Sequence, residues 1–472
     1  MNINLKSLDI GDKGNFGISI SGGSTDPSTN ITVDSCKIDS RYTFDYTQAG
    51  TIITAGYTSD RGPREGFYGR WSNHVEFKNS TVTNYTHANI NLQHSSTGKN
   101  CEYYNIHDNY STSNIAYGGR TVVDNGTYYL EFHNNTIDGS NVQNQLQGQN
   151  NHFHHNIIKS VKSSPLNHFH SGWGISVRPY AGEDVINNIY ENNIIIDCES
   201  GGITIGNYKN YTTGATTIVT NCIFRNNILV NNGRYLPHFT SYTQNRFSNV
   251  DLAIKISDSY DWTTSSFTTV ISDNTFQNNL FYVDGTDSTS TGIARILYHL
   301  DSNDPNGWTT PPITVSTFNT KNGSNNDTIS NNIEGNPMFV DLATGDYHLQ
   351  MNSPAKDSGI TPLSTNDYDN NPIPYPSTLP DIGLYELQWA TSINEITKRN
   401  SILVFPNPTN SLLNFRTNDN NLVKIQVINI LGGIITSKTI KNNSQIDVSF
   451  LTEGVYFIKI KGNSEVLKFI KK

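Results

Sequence analysis

One pattern of apolar and polar positions recurs along most of the chain. Each copy has an aromatic residue, then Asn or Ser three positions later, then an aliphatic or aromatic residue two positions after that. The clear copies are FKNSTV from Phe77, FHNNTI from Phe132, FHHNII from Phe153, YENNII from Tyr190, FRNNIL from Phe224 and FQNNLF from Phe276, and the weaker ones are CEYYNI from Cys101 and ISNNIE from Ile329. The shortest intervals between their starts, 21 and 24 residues, fit one coil of a β-solenoid, and the longer intervals fit the same coil with an inserted loop.

A second kind of segment recurs between these copies, with apolar and polar residues in alternation. Its members are GISIS at Gly17, NINLQH at Asn89, NIAYGG at Asn114, QLQGQ at Gln145, GISVRPY at Gly174, GITIGNY at Gly202 and AIKIS at Ala253. A period of two is typical of a strand with one buried and one solvated face. Two strand types that alternate at coil spacing predict a helical stack of parallel strands, in which no coil buries its apolar face alone.

The repeated asparagines predict a ladder of side-chain amides. One Asn recurs per coil at the same place in the pattern, at Asn135, Asn156, Asn193, Asn227, Asn279 and Asn332. Stacked at an inward bend, these amides would satisfy backbone groups of the turn that are otherwise buried without partners. We therefore interpret these residues as structural rather than catalytic.

The NNxI repeats and the GIxI strands resemble the right-handed parallel β-helix of the pectate-lyase-like superfamily, over residues 1 to 388. NPMFVDLATGDYHLQMNSPAKDSG and DIGLYE, in residues 336–386, are similar to the last coils of many secreted carbohydrate-active β-helices. The resemblance implies an all-β fold and a carbohydrate-active protein. In this stretch Asp341, Asp346 and Asp357 could be ligands of a cation such as Ca²⁺, and turn-forming Asp beside Gly is the alternative.

The chain ends in a different kind of segment. After a polar connector, residues 389–400, alternating apolar strands bounded by Asn-Pro, Gly-Gly and Glu-Gly turns predict a small antiparallel β-sandwich over residues 401–472. FPNP at Phe405–Pro408, VINILG at Val427–Gly432, EGVY at Glu453–Tyr456 and the basic finish Lys468–Lys472 closely resemble the C-terminal sorting domain of the type IX secretion system. The resemblance implies the type IX machinery as a partner, and a protein that is secreted or attached to the outer-membrane surface.

Charge is distributed unevenly between these two parts. The net charge is −9, but residues 401–472 hold 9 Lys and Arg against 4 Asp and Glu, whereas the preceding 400 residues hold 23 against 37. An acidic body argues against nucleic acid as a partner, because nucleic-acid binding needs a basic surface. No apolar run approaches the roughly 18–20 residues that span a bilayer. We expect a monomer that acts outside the cell.

The cysteines and the start of the chain add two expectations. Cys36, Cys101, Cys198 and Cys222 have no CxxC or zinc-ligand spacing, which favours buried thiols, with a Cys198–Cys222 bridge as the alternative. Met1 is followed by NINLKSLDIGD, which has no features of an export signal. Because a sorted protein needs such a signal, we expect the given sequence to lack its original start and the cap of the solenoid.

The second set of strands predicts the face of a binding groove. Alignment on the first apolar residue of each strand places Asn91, Gln147, Ser176, Thr204 and Lys255 outside, with Ser21, Gln93, Gln149, Arg178 and Ser257 two positions further on and His94, Arg120, Tyr180 and Tyr208 at the strand exits. Amide, basic and aromatic side chains suit the hydroxyls, carboxylates and faces of sugars. We expect substrate to be bound by Asn91, Gln93, His94, Arg120, Gln147, Gln149, Tyr208 and Lys255, and an ordinary solvated β-face is the alternative.

The segment LNHFHSGWGISVRPYAGED holds the candidate catalytic residues. Elimination from a uronic acid polymer needs a positive charge at the carboxylate, a base for the proton beside it and an acid for the leaving oxygen. Arg178 or a cation could supply the charge, His170 the base and Tyr180 the acid, with His168 close in sequence. His168 and His170 could also bind a metal, but no third ligand is evident. His133, His154 and His155 occupy the repeat corner and are interpreted as structural.

Two other function classes stay open beside a polysaccharide lyase. A glycoside hydrolase needs paired carboxylates, and the aligned face has none, although Glu183, Asp184 and Asp258 lie near strand exits. A glycan-binding adhesin needs no catalytic group. The sequence requires no cofactor, and it favours the lyase.

Overall fold

In the computed structural model, the chain forms two compact units, residues 1–388 and residues 389–472. The residues that the structure describes are 3–11, 16–23, 27–40, 64–93, 101–113, 119–124, 126–140, 144–162, 172–177, 179, 184–206, 216–233, 251–255, 268–284, 296–299, 312–374, 379–387, 403–416, 422–430, 432–460 and 466–472.

The first unit is a parallel β-helix. The chain passes through three sheets in turn, and each strand pairs in parallel with the matching strand of the next coil. The first sheet contains β1 (Ile3–Lys6), β4 (Ser28–Asp34), β7 (Ser72–Lys78), β10 (Cys101–His107), β13 (Thr127–Tyr128), β14 (Glu131–His133), β17 (His152–His154), β21 (Ile189–Glu191), β25 (Ile223–Arg225), β29 (Thr275–Gln277) and β32 (Thr328–Ser330). Three further strands pair beside it, namely β20 (Val185–Ile186), β24 (Thr216–Thr220) and β28 (Thr268–Ser272).

The other two sheets complete each coil. The second sheet contains β2 (Asp9–Gly11), β5 (Lys37–Asp39), β8 (Thr81–Thr83), β11 (Tyr110–Thr112), β15 (Thr136–Asp138), β18 (Ile157–Lys159), β22 (Ile194–Ile196), β26 (Ile228–Val230), β30 (Leu280–Tyr282) and β33 (Ile333–Glu334). The third sheet contains β3 (Phe16–Ser21), β6 (Glu65–Arg70), β9 (Ala88–Leu92), β12 (Arg120–Val123), β16 (Asn144–Leu146), β19 (Trp173–Val177), β23 (Gly201–Ile205), β27 (Leu252–Lys255) and β31 (Ile296–His299). A short helix, α1 (Val315–Asn319), and a 3₁₀ turn (Ser324–Asn326) precede β32.

The inward-facing residues of the three sheets form one continuous core. Phe153, Tyr190, Phe224 and Phe276 stack one above another, with ring centroids 4.6–5.0 Å apart, as the repeat alignment predicts. The weak copy from Cys101 is misaligned, because Ile106 takes the inward position between Phe77 and Phe132. The seven-residue β10 starts well before the repeated pattern, and the copy should read IHDNYS.

The predicted amide ladder is confirmed at the turn from the first sheet to the second. Asn156 Nδ2 donates to Phe132 O at 2.8 Å and to Asn193 Oδ1 at 3.0 Å, and Asn156 Oδ1 accepts from the backbone N–H of Asn135 at 3.0 Å. The same contacts join Asn109, Asn135, Asn156, Asn193, Asn227, Asn279 and Asn332. The residue before each ladder position is left-handed, as at Asn192 with φ 54°. Asn tolerates that conformation, which explains the Asn doublets.

Asp327 ends a second, shorter ladder and gives a testable prediction. Its Oδ1 accepts from Asn274 N at 2.8 Å, as Asn274 Oδ1 accepts from Cys222 N one coil earlier. Burial, opposed by the hydrogen bonds from Asn274, raises the pKa of Asp327 to about 6. The folded state therefore binds this proton more tightly than the unfolded chain, and the stability it contributes is present below about pH 4 and lost as the pH rises through about 6.

Asp327→Asn keeps the acceptor and removes the charge. We expect it to raise the free energy of unfolding by about 2 kcal/mol above about pH 7 and to change it little below about pH 4. Denaturant unfolding at both pH values measures the difference. A variant that is less stable than the parent above pH 7, or a difference that does not depend on pH, would contradict the prediction.

Residues 336–374 and 379–387 pack over the outward face of the second sheet. Phe339 and Ile382 join Ile194 and Ile228 in an apolar cluster. The segment contains the hairpin β34 (Phe339–Asp341) and β35 (Asp346–Leu349). It thus covers the face that the β-helix alone leaves exposed.

The three aspartates named above as possible cation ligands, Asp341, Asp346 and Asp357, have local contacts or turn geometry in the structure. Asp341 Oδ1 accepts from the backbone N–H of Ala343 at 3.0 Å, and Asp346 Oδ1 contacts His348 Nδ1 at 2.6 Å. Asp357 is left-handed, with φ 52°. These contacts fit the turn interpretation, and a cation at Asp341, Asp346 and Asp357 stays a prediction.

The second unit consists of two antiparallel sheets. One contains β36 (Leu403–Phe405), β37 (Leu412–Arg416) and β40 (Ser444–Asp447), and the other contains β38 (Val423–Asn429), β39 (Ile434–Ile440), β41 (Gly454–Ile460) and β42 (Val466–Lys471). Phe415 of the first sheet shares one core with Val427, Ile458 and Phe469 of the second. The predicted fold class, a right-handed parallel β-helix followed by a small antiparallel β-sandwich, is confirmed.

All four cysteines are buried and unpaired, so the alternative of a Cys198–Cys222 bridge is wrong. Within the described ranges, no helix has the length and apolar character needed to cross a membrane.

Candidate functional site

The third sheet is flanked by the long connections of the β-helix. Each turn from the first sheet to the second has two residues, whereas 25 residues separate β5 from β6, 21 separate β26 from β27, and 13 separate β30 from β31. Long connections on a rigid scaffold are where binding and catalytic residues concentrate. The outward face of the third sheet is therefore the candidate site.

The strand register aligns one outward residue per coil on this face. The row is Tyr68, Asn91, Val122, Gln145, Ser176, Thr204 and Ala253. Neighbouring coils add about 4.8 Å each. The row therefore offers a regular series of side chains along the axis of the β-helix.

Buried polar atoms without partners gather on this sheet. Among the described residues, those in strands of the third sheet are Glu65 Oε2, Arg70 Nε, Asn91 Oδ1, Thr121 Oγ1, Ser176 Oγ and Thr204 Oγ1, against Asn105 Oδ1 and Thr127 Oγ1 in strands of the first. A buried polar atom with no partner costs about 1–3 kcal/mol. Such atoms call for a bound ligand or ordered water.

Three charged or titratable residues from successive coils meet at the entry end of the third sheet. Glu65 begins β6, His87 directly precedes β9, and Arg120 begins β12. Glu65 Oε1 lies 2.7 Å from His87 Nδ1, Arg120 Nη2 contacts His87 Nε2, and Arg120 Nη1 donates to Gln145 Oε1 at 3.4 Å. We call these residues the Glu65–His87–Arg120 cluster.

The partners fix the protonation of His87. A carboxylate only accepts and a guanidinium only donates, so Nδ1 carries the proton and Nε2 accepts from Arg120. Burial and the charge of Arg120 lower the pKa of His87, and Glu65 opposes them. The imidazole is neutral at neutral pH, which is the state that a general base requires.

A second cluster lies on the outward face of the first sheet. His152 Nδ1 is 3.0 Å from Glu131 Oε2, His152 Nε2 is 2.8 Å from Glu191 Oε1, and Arg225 Nε is 2.7 Å from Glu191 Oε2. Burial opposes the charge on His152, but hydrogen bonds to both carboxylates raise its pKa to about 9. The same contacts outweigh burial at Glu131 and Glu191 and lower the pKa of each to about 2.

The structure corrects the interpretation of three histidines as corner residues. His133 and His154 lie in β14 and β17 of the first sheet, where their rings stack at 4.7 Å. Only His155 occupies the turn, with φ 50°. The reason is that the residue after the repeated aromatic still belongs to the strand and points outward.

Four of the predicted binding residues lie at or beside the third sheet, namely Asn91, Gln93, Gln147 and Arg120, which begins β12. Asn91 is in the outward row and buried. Gln93 follows β9 and accepts from the Tyr68 hydroxyl at 2.8 Å, and Gln147 follows β16, where its Oε1 has no partner among the described residues. Their role in binding stays a prediction.

The remaining predicted residues are not described, or are described only in part. His94, His168, His170, Arg178, Tyr180 and Tyr208 lie outside the described residues. Lys255 ends β27, and only its backbone is described. The catalytic assignment of residues 168–180 therefore stays a prediction.

Two predicted positions are wrong. Arg120 begins a strand instead of following one, because the third-sheet strand of that coil is β12 and not the predicted NIAYGG segment, of which residues 114–118 lie outside the described residues. Gln149 bridges Tyr128 and Ile186 beside the first sheet, since the three-residue β16 ends before it. It does not lie on the groove face.

The predicted register is also shifted in two coils. Leu146 lies at the level of Leu92 instead of Ile90, and Ile254 pairs with Ile205 instead of Ile203. Gln147 and Lys255 therefore lie two residues further along the sheet than the alignment predicts. In β16 the first inward position is Asn144, whose Oδ1 accepts from Thr121 N at 2.9 Å. Alignment on the first apolar residue fails where an amide or an additional apolar residue takes that position.

No sequence pattern indicates Glu65 or His87, because EGFYGR in β6 lacks the alternation of the other strands. The repeat alignment, in contrast, does indicate the cluster on the first sheet. Alignment of EFHNN with HFHHN places Glu131 beside His152, and the next copy, IYENN, adds Glu191 at the level of His154.

The tail has a known counterpart. Residues 403–472 match the family model of the secretion system C-terminal sorting domain. The protein is therefore secreted or held at the cell surface through the type IX system, with this machinery as a partner, as the sequence predicts. A search of curated proteins gave no match to the chain.

Two solved structures illustrate the similarity of the β-helix. The tailspike protein of E. coli bacteriophage HK620 in complex with a pentasaccharide has 14% identity and a TM-score of 0.42, over 63% of this chain and 51% of that chain. Pectate lyase Pel9A has 14% identity and a TM-score of 0.36, over 82% of this chain and 88% of that chain. The chain spans about half the length of the tailspike. The parallel sheets of the chain itself, rather than these weak similarities, establish its fold.

Proposed function

We propose that the protein is a secreted enzyme that cleaves a uronic-acid-containing polysaccharide by β-elimination on the outward face of the third sheet. The observation that carries the proposal is the Glu65–His87–Arg120 cluster, in which a neutral, oriented histidine contacts a guanidinium. It lies on the sheet where buried polar atoms without partners gather.

The outward row suits an extended sugar polymer. Its spacing of about 4.8 Å per coil is close to the length of one sugar unit. Asn91, Ser176 and Thr204 offer amide and hydroxyl groups, which hydrogen-bond sugar hydroxyls. Five of the seven residues in the row are polar, and Val122 and Ala253 are apolar, so a polymer running along the axis would meet such a group in most coils.

The cluster supplies two of the three groups that elimination needs. In the complex, the substrate carboxylate would accept from Arg120, whose fork of N–H donors matches a carboxylate. This releases His87 Nε2, which would take the proton from the carbon beside the carboxylate. The electron pair forms the new double bond as the bond to the leaving sugar oxygen breaks, and this oxygen would take a proton from water. Glu65 stabilises the resulting imidazolium.

The predicted set His170, Arg178 and Tyr180 would act at a different subsite. Arg178 directly follows β19, which is three coils from β9, or roughly 14 Å along the axis. A polymer in the groove could contact both places. Tyr180 stays the predicted acid at that second subsite, beside His170 and Arg178.

The ultraviolet absorbance of the products tests the proposal. The full chain is incubated with a panel of acidic polysaccharides, with and without Ca²⁺, and we expect absorbance from a new carbon–carbon double bond to rise with at least one substrate. New reducing ends without this absorbance would indicate a hydrolase. Binding without any product would indicate a glycan-binding protein, and either result would overturn the proposal.

A further inference from the structure

The outward face of the first sheet brings three metal-binding groups together from two neighbouring strands. Glu131 in β14 pairs with His152 in β17, and His154 lies two residues further along β17 on the same face. One ligand atom from each residue lies within 4.8 Å of the other two. We propose that Glu131, His152 and His154 bind a divalent transition-metal ion, of which Zn²⁺ fits best.

The distances are close to those of a tetrahedral site. Glu131 Oε2 lies 3.0 Å from His152 Nδ1 and 3.4 Å from His154 Nε2. Ligands held at about 2.0–2.2 Å from a tetrahedral Zn²⁺ are about 3.4 Å apart. An ion requires a movement of Glu131, whose side chain is 53% exposed, and a rotation of the stacked rings of His152 and His154, whose centroids are 4.1 Å apart.

The ligand types favour a transition metal over Ca²⁺. Two imidazole nitrogens and one carboxylate oxygen form a set that Zn²⁺ accepts, whereas Ca²⁺ takes six to eight oxygens. Three protein ligands leave a fourth position open on the exposed side, which water would fill.

The groups behind the ligands supply an independent argument. A metal-binding histidine usually donates its other N–H to a carboxylate, carbonyl or water, which orients the ring. His152 Nε2 lies 2.8 Å from Glu191 Oε1, and Glu191 is fully buried and held by Arg225. His154 Nδ1 lies 3.0 Å from Ser364 Oγ. His154 Nδ1 also lies 2.9 Å from His155 Nδ1. Both remaining nitrogens thus have partners, and the ion would displace to solvent the proton that His152 Nδ1 holds towards Glu131.

The site would connect distant parts of the first unit. Leu363 N donates to Glu191 Oε1 at 2.9 Å, and Ser364 Oγ contacts His154 Nδ1. Residues 363 and 364 thus contact the groups behind both histidines. An ion bound to β14 and β17 would fix these strands to the segment that covers the second sheet. Its binding should therefore stabilise the β-helix as well as occupy the site.

Titration calorimetry on the full chain, stripped of metal by a chelator, tests the proposal with Zn²⁺. We expect one ion per chain and a higher thermal unfolding midpoint when it is bound. Glu131→Gln and His154→Ala should each weaken binding at least a hundredfold, and Ser364→Ala should weaken it about tenfold. In the Co²⁺-loaded protein we expect the strong visible absorption of a tetrahedral site, which both ligand variants should lose.

His133→Ala is the matched control, because His133 lies on the same face and stacks on His154 without belonging to the ligand set. It should bind Zn²⁺ within about twofold of the parent. Absence of binding to the parent would overturn the proposal and leave His152 as an ion-paired residue. Equal binding by the parent, Glu131→Gln and His154→Ala would also overturn it, by placing the ion at other residues.

Discussion

Asn193→Ala is expected to lower the free energy of unfolding of the β-helix by about 4 kcal/mol. Asn193 Oδ1 accepts from Asn156 N and Nδ2, both at 3.0 Å, and Asn193 Nδ2 donates to Phe153 O at 2.9 Å. Removing the amide takes these hydrogen bonds from buried groups, at about 1–3 kcal/mol for each group left without a partner, although Asn156 Nδ2 keeps its bond to Phe132 O. The denaturant midpoint of the β-helix, followed by circular dichroism, measures the loss.

Two further variants test whether the ladder causes this loss. Asn193→Asp keeps the acceptor and, at low pH, where the new carboxyl is neutral, has one O–H donor in place of the amide N–H groups. It should therefore be destabilising by less than the alanine variant at low pH. Asn73→Ala changes a half-buried Asn in β7 that has no place in the ladder. It should cost less than about 0.5 kcal/mol. A loss below about 1 kcal/mol for Asn193→Ala would contradict the structural role of the ladder.

His87→Ala and Arg120→Ala are each expected to lower kcat/KM on the cleaved polysaccharide at least a hundredfold. Loss of a general base typically costs 10²–10⁴ in rate, and Arg120 would stabilise the charge that develops at the carboxylate. Glu65→Gln keeps the shape of the side chain but removes the charge beside the imidazolium, so we expect a smaller loss, mainly in kcat. Initial rates of product absorbance measure all three.

Control variants distinguish the Glu65–His87–Arg120 cluster from the alternative catalytic centre at residues 168–180. His133→Ala, on the first sheet, should keep activity within about twofold of the parent. If Arg178→Ala abolishes turnover while His87→Ala leaves it unchanged, the catalytic centre lies at residues 168–180 and the assignment to the Glu65–His87–Arg120 cluster is wrong. Near-ultraviolet circular dichroism of each variant checks that the fold is retained.

The coil and its corner could be predicted from the sequence because both depend on local patterns. The aromatic positions such as Phe153 and Tyr190 stack in the core, and Asn156 and Asn193 stack at the turn, as their spacing indicates. A repeated residue at a fixed place in each coil must meet its own copy in the next coil. These contacts between coils can therefore be predicted whatever the length and sequence of the loops.

The groove face was harder to predict, because it depends on register between coils of different length. The polar Asn144 occupies an inward position, so alignment on apolar residues shifted Gln147 by two positions. Glu65 and His87 lie 22 residues apart in sequence, and β6 has no alternating pattern to reveal their level. The Glu131–His152 pair can be predicted from the sequence, since the repeat alignment places these residues side by side.

The mass of the oligosaccharide products formed in water labelled with heavy oxygen tests the central claim most directly. Elimination breaks the bond to the leaving oxygen without adding water, so the account predicts products that carry an unsaturated end and no heavy oxygen from the cleavage step. Hydrolysis adds one oxygen from water at each cleavage. Products that carry the label at the new ends and lack the double bond would contradict elimination on the third sheet.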